Sequence, residues 1–134
     1  MSTTNKPTLS VDADGTRRWR LKSEYHREDG PAIERPDGDK LWYLNGELHR
    51  EDGPAIEHAD GTTEWFLNGN RHRTDGPAIE HDGDNYWYQN GHCHRTDGPA
   101  VECADGSKEW WLNGERVDAI VHFLKIGELS VDKS

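Results

Sequence analysis

Apolar residues are scarce, at 31% of 134 positions, and charged residues equal them at 31%. So little apolar surface cannot offset chain entropy around one large central core. No apolar run approaches the roughly 20 residues that a transmembrane helix needs, so a membrane span is not expected. The opening MSTTNKPTLS holds no signal-peptide apolar stretch, which predicts a cytoplasmic protein. Cysteine is nearly missing: Cys93 and Cys103 are too few for a disulfide framework and read as reduced thiols. Basic residues are outnumbered 26 to 16, a formal net charge of −10. That excludes direct, generic nucleic-acid backbone binding, which needs clustered Lys and Arg. It favours solubility and a basic partner.

What the chain does have is aromatics and turns. Six Trp, four Tyr and two Phe argue against disorder. The string His-Arg-x-Asp-Gly-Pro-Ala begins at His26, His49, His72 and His94, at spacings of 23, 23 and 22 residues. Asp-Gly followed four residues later by Trp places Trp19, Trp42, Trp65, Trp87 and Trp110 in register. Asn-Gly closes units at Gly46, Gly69, Gly91 and Gly114. Periodic self-similarity of this length marks a repeat protein. The units fall at about 8–25, 26–48, 49–71, 72–93 and 94–115, the first being degenerate.

Each unit reads as a β-hairpin, because Asp-Gly between β-formers suits a two-residue type I′ turn. Taking Asp37-Gly38 as the loop sets Ile33 opposite Trp42, Ala32 opposite Tyr43 and Pro31 opposite Leu44. Ile56 then faces Trp65, and Val101 faces Trp110. The third unit lacks one residue, and a three-residue loop Asp82-Gly83-Asp84 would restore Ile79 opposite Trp87. The predicted fold is all-β: an elongated single-layer antiparallel meander of about five stacked hairpins over 8–115. Val117, Ile120, Val121 and Leu124 recur at helical spacing, so an amphipathic helix over 116–129 is expected to cover the last hairpin, with Asp118 and Gly127 at its ends. Residues 1–7 and 130–134 read as tails.

The segments Trp42-Tyr-Leu-Asn-Gly46, Trp65-Phe-Leu-Asn-Gly69, Trp87-Tyr-Gln-Asn-Gly91 and Trp110-Trp-Leu-Asn-Gly114 carry a family likeness. Over roughly residues 12–115 the chain resembles MORN repeats, in the divergent variant of bacterial and phage proteins. MORN repeats usually carry a Gly-x-Gly element where this chain has His-Arg-x-Asp-Gly-Pro-Ala. The resemblance implies a β-meander used for protein contacts or, in some members, lipid contacts, and it brings no catalytic residues. Some bacterial relatives carry the label antitoxin. It places the expected cytoplasm in a bacterial or phage-infected host cell.

Three sets of residues are candidates for function. The aromatic column Tyr43, Phe66, Tyr88 and Trp111 is expected to line an exposed partner-binding groove. The carboxylates Glu34, Glu57, Glu80 and Glu102, with Asp12, Asp39 and Asp84, form an acidic surface that could imitate a nucleic-acid backbone before a nuclease's basic cleft. The link columns His26/Arg27/Asp29, His49/Arg50/Asp52, His72/Arg73/Asp75 and His94/Arg95/Asp97 recur in every unit, which marks a structural device. Arg and Asp are expected to bridge successive links, and Asp to cap turn amides. The unrepeated cluster His92-Cys93-His94 with Cys103 is the metal-ligand candidate, although strand alternation sends Cys93 away from both histidines, so no metal or other cofactor is assigned.

With no phosphate loop, nucleophile elbow or singular carboxylate pair, a non-enzymatic protein-interaction module is expected. The alternatives are an acidic inhibitor or antitoxin of a nuclease or defence effector, and a metal- or small-ligand-binding module. The partner is another protein, and an open two-faced sheet favours homodimerisation.

Overall fold

A computed structural model describes residues 6–132, with side chains through Glu128. The molecule is built of antiparallel β-hairpins and one C-terminal helix. It divides into two compact units at Asn70/Arg71. In the first, the main ladder runs Thr8–Val11, Arg17–Leu21, Ile33–Glu34, Lys40–Leu41, Ile56–Glu57, Thr63–Glu64. In the second it runs Ile79–His81, Asp84–Tyr86, Val101–Glu102, Lys108–Leu112, Glu115–Val117.

The hairpin register differs from expectation by one residue. Ile33 pairs with Leu41, Ile56 with Glu64 and Val101 with Glu109, not with Trp42, Trp65 and Trp110. The reason lies in the Asp side chain. Gly38 N–H donates to the Arg35 carbonyl at 3.0 Å, closing a turn, and Asp37 accepts the Asp39 amide at 3.0 Å. Gly38 then takes φ +107°. This is a three-residue loop, a turn followed by a left-handed glycine, rather than a two-residue one. Asp60-Gly61 and Asp105-Gly106 repeat it, with Thr62 and Ser107 amides on the Asp oxygens at 2.9 Å.

The shortened third unit shows the reverse. Asp82 and Gly83 have φ of 50° and 85°, the two-residue type I′ form, and Ile79 faces Tyr86. The shortening thus falls at a loop tip as expected and leaves the pairing equivalent to that of the other units. A one-residue slip moves side chains to the other face of a strand, so the expected Ile–Trp pairs do not form.

The return strand also breaks at its Trp. Trp42 N–H donates to the Ala55 carbonyl at 2.7 Å, and its own carbonyl accepts the His49 amide at 3.1 Å. Beyond the break a second hairpin forms, with Tyr43 paired to Leu48 and Leu44 to Glu47. Asn45 and Gly46 at its tip have φ of 51° and 81°, the positive pair that type I′ requires and that Asn-Gly tolerates best. Tyr88–Gln89 with His92–Cys93 repeats this arrangement, whereas Lys108–Leu112 runs unbroken through Trp110 and pairs with Glu115–Val117.

Between the two hairpins sit small residues. Ala32, Ala55, Ala78 and Ala100 are wholly buried. Around Ala55 gather Ile56, Phe66, Leu41, Trp42 and Leu48, the core of the first unit.

At the C-terminus, Glu115–Val117 is a strand and the helix spans Ala119–Asp132, beginning later and ending later than expected. Asp118 caps it, accepting the Val121 amide at 2.8 Å. Gly127 lies inside it. The helix buries His122 and half-buries Val121, while Ile120 and Phe123 are 72% and 76% exposed and Leu124 is exposed too. Ile120 and Leu124 therefore do not cover the last hairpin. Residues 1–5 and 133–134 of the expected tails lie outside the described residues, whereas residues 130–132 belong to the helix.

Candidate interaction surface

The four links share one construction. The imidazole Nδ1 of His26 accepts the Asn45 backbone amide at 2.9 Å. His49 does the same for Asn68 at 3.0 Å, His72 for Asn90 at 3.0 Å and His94 for Asn113 at 2.9 Å. Each histidine thus ties its link to the Asn-Gly turn of the following hairpin. The adjoining Gly46 amide donates to Tyr25 at 2.9 Å, and Gly114 to Cys93 at 2.9 Å.

The arginines point elsewhere. Arg27 Nε donates to Asp29 at 2.9 Å and Nη1 to the Pro31 carbonyl at 3.1 Å, while Nη1 lies 3.6 Å from Glu34. Arg50, Arg73 and Arg95 repeat this, meeting Glu57, Glu80 and Glu102 at 3.2, 3.3 and 3.7 Å. The guanidinium planes also lie over rings: Arg27 over Trp19, Arg50 over Trp42 and Arg95 over Trp87, at 3.8, 3.9 and 3.8 Å. Hydrogen bonds from Arg73 and Arg95 hold the Asp75 and Asp97 carboxyls below the usual carboxylate range.

Two expectations change here. The Arg–Asp pairs close within each link instead of bridging successive links, and the turn amides are taken by histidine instead of aspartate. The acidic column is also spoken for. Glu34, Glu57, Glu80 and Glu102 each neutralise an arginine, Asp12 holds Arg18 at 2.8 Å, and Asp39 and Asp84 accept the Ala59 and Ala104 amides at 2.7 and 2.8 Å. The outward carboxylates are different ones. Glu28 and Glu51, which the sequence reading did not select, are 80% and 82% exposed at the side chain. Their signal was the variable position of the link, Glu in two copies and Thr74 or Thr96 in the others.

The aromatic column is split. Phe66 is buried at 8% exposure and belongs to the core, so it lines no groove. Tyr43 leans on Tyr25 at 5.3 Å between centroids. Tyr88 lies under the Arg71 guanidinium at 5.8 Å, and Trp111 donates its indole N–H to Glu109 at 2.9 Å. In the second unit Tyr88 and Trp111 border one open depression with Tyr86, Cys93 and Glu109. The first unit holds its own open depression, lined by Trp42 and Leu44, by Arg27, His49 and Arg50, and by Glu28, Asp29, Glu51 and Asp52.

Among the described residues no group of three His, Cys, Asp or Glu side chains is placed to hold a metal ion. His92 pairs with Gln89 and Cys93 with Tyr88, and His94 Nδ1 is occupied by the Asn113 amide. Burial, with Glu109 nearby, pushes the Cys93 thiol up to about 11, which disfavours the thiolate a metal requires. Among the described residues no helix is long and apolar enough to cross a membrane.

Comparison with family models, curated proteins and solved structures returns no match.

Proposed function

We propose that this chain is a non-enzymatic protein-interaction module. Its site in the first unit is the open depression lined by Trp42, Leu44, Arg27, Arg50 and the carboxylates Glu28, Asp29, Glu51 and Asp52. That depression carries the reading: Leu44 and the edge of Trp42, whose ring Arg50 covers, lie beside the exposed Glu28 and Glu51 carboxylates, a mixed surface that suits a protein segment carrying apolar and basic side chains. The net charge of −10 supports the same kind of partner. The MORN-like cadence of the repeats agrees with a surface used for protein contacts. In the second unit, Tyr88 and Trp111 remain as the accessible part of the aromatic column.

The test is capture of partners from lysate of the native host by the wild-type chain and by a Glu28→Lys/Glu51→Lys variant, with the circular dichroism of both compared first. A protein retained by the wild type and lost by the folded variant supports the reading. Identical captured sets would overturn it. The inhibitor or antitoxin alternative draws on the same exposed carboxylates. It predicts a complex that is lost altogether as salt rises, whereas one that also buries Trp42 and Leu44 weakens but keeps a salt-resistant part.

A further inference from the structure

The four link histidines share a property that partner binding does not use. An imidazole nitrogen that accepts a hydrogen bond must be unprotonated, so each ring carries its proton on Nε2 and is neutral. In His26 and His49 that Nε2 faces the Glu28 and Glu51 carboxylates at 3.4 and 3.3 Å. An imidazolium has no acceptor at all. It would set an N–H donor against the backbone N–H of an exposed Asn, which then loses its protein partner and is left to water.

We propose that the fold contains an acid-sensitive release. On acidification a proton on Nδ1 removes the acceptor that holds each Asn amide, and the Asn-Gly hairpins detach from the links that precede them, within each unit. Main-ladder hydrogen bonds involve no titrating group and hold. The release runs in one direction. A histidine bonded in its neutral form contributes stability above the pKa of the unfolded chain, and that contribution is lost as pH falls.

The charged surroundings of the four rings are unequal. His26 has Glu28 at its Nε2, and Arg27 follows it in the chain. His49 has Glu51, and it borders the depression shared with Arg27, Glu28, Asp29, Arg50 and Asp52. The exposed Glu carboxylates offer each of these two imidazolium ions a partner, partly offsetting the lost amide bond. His72 and His94 have Thr74 and Thr96 at the corresponding link position. His94 also faces His122, whose Nε2 donates to the Arg95 carbonyl at 2.7 Å. Burial and the His122 charge both lower the His94 pKa. The acid effect is therefore expected to be larger in the second unit.

Amide hydrogen exchange by NMR at pH 7.5 and 5.0 tests this, after correction for the intrinsic pH dependence of exchange. Asn45, Asn68, Asn90 and Asn113 amides are expected to lose about tenfold in protection, the worth of roughly one hydrogen bond each. The Trp42 and Trp87 amides, donating to Ala55 and Ala100, should keep theirs. Protection of the Asn amides that persists at pH 5.0 would overturn the proposal. In a His49→Asn variant, whose side-chain oxygen can take the place of Nδ1 without titrating, Asn68 alone should stay protected at pH 5.0. An Asn68 amide that still loosens there would overturn it as well. If that variant does not fold, exchange in the wild-type chain decides.

Discussion

A Cβ placed on Gly53 would lie 2.9 Å from Cζ of Arg50. The glycine of the link is therefore there for space: it lets the guanidinium fold back onto Trp42 while donating to Asp52 and Pro54. Gly30, Gly76 and Gly98 meet Arg27, Arg73 and Arg95 in the same way.

Gly53→Ala is accordingly expected to destabilise the chain by about 1–2 kcal/mol, as overpacking does, by urea denaturation. Arg50→Lys should cost about 1 kcal/mol, because an ammonium cannot serve Asp52, Pro54 and the Trp42 ring together. Additive losses in the double variant would show that the two residues do not act through one contact.

The loop of the third unit offers a test of register. One alanine inserted between His81 and Asp82 restores the three-residue loop of the other units. Stability should change by no more than about 0.5 kcal/mol. The same insertion between Ile79 and Glu80 shifts the pairing and should cost several-fold more. Equal effects would show that the turn does not set the register.

Lys22 and Ser23 occupy the tip of the first short hairpin with φ of 53° and 72°, values that suit Asn and Gly far better. Replacing them by Asn-Gly is expected to raise stability by roughly 0.5–1 kcal/mol, seen as a higher urea midpoint at unchanged slope.

Cys93 should be slow to react. With its thiol pushed up to about 11, alkylation at pH 8.5 in a Cys103→Ser background is expected to run roughly 100-fold slower folded than in urea. Because burial favours the protonated thiol in the folded chain, its contribution to stability is present below the unfolded pKa and lost as pH rises above about 9. Equal alkylation rates in both states would contradict this burial.

Much of the architecture was legible in the chain, and particular residues show how far. Asn-Gly suits positive φ at two successive positions, so turns at Asn45-Gly46 and Asn113-Gly114 followed from residue chemistry, while the second hairpin that each one closes did not. The return of Trp every 22 or 23 residues located the units for the same reason: periodicity needs no tertiary information. The link histidines, arginines and aspartates, read as structural from their repetition, make the same within-unit contacts in all four links.

The tertiary structure decided the rest. Asp37-Gly38 and Asp82-Gly83 are the same dipeptide in different turns. The third unit is one residue shorter before its Asp, and the structure shows what that does: the longer loops let an Asp oxygen take the amide two residues on, the short one closes as a two-residue turn, and the strand pairing stays equivalent. Whether an aromatic is buried or open, Phe66 against Trp111, depends on neighbours brought in from other strands. No property of the ring foretells it. The carboxylates left facing solvent were likewise settled by which of them an arginine could reach, since a guanidinium held over a tryptophan has a fixed direction in which to donate.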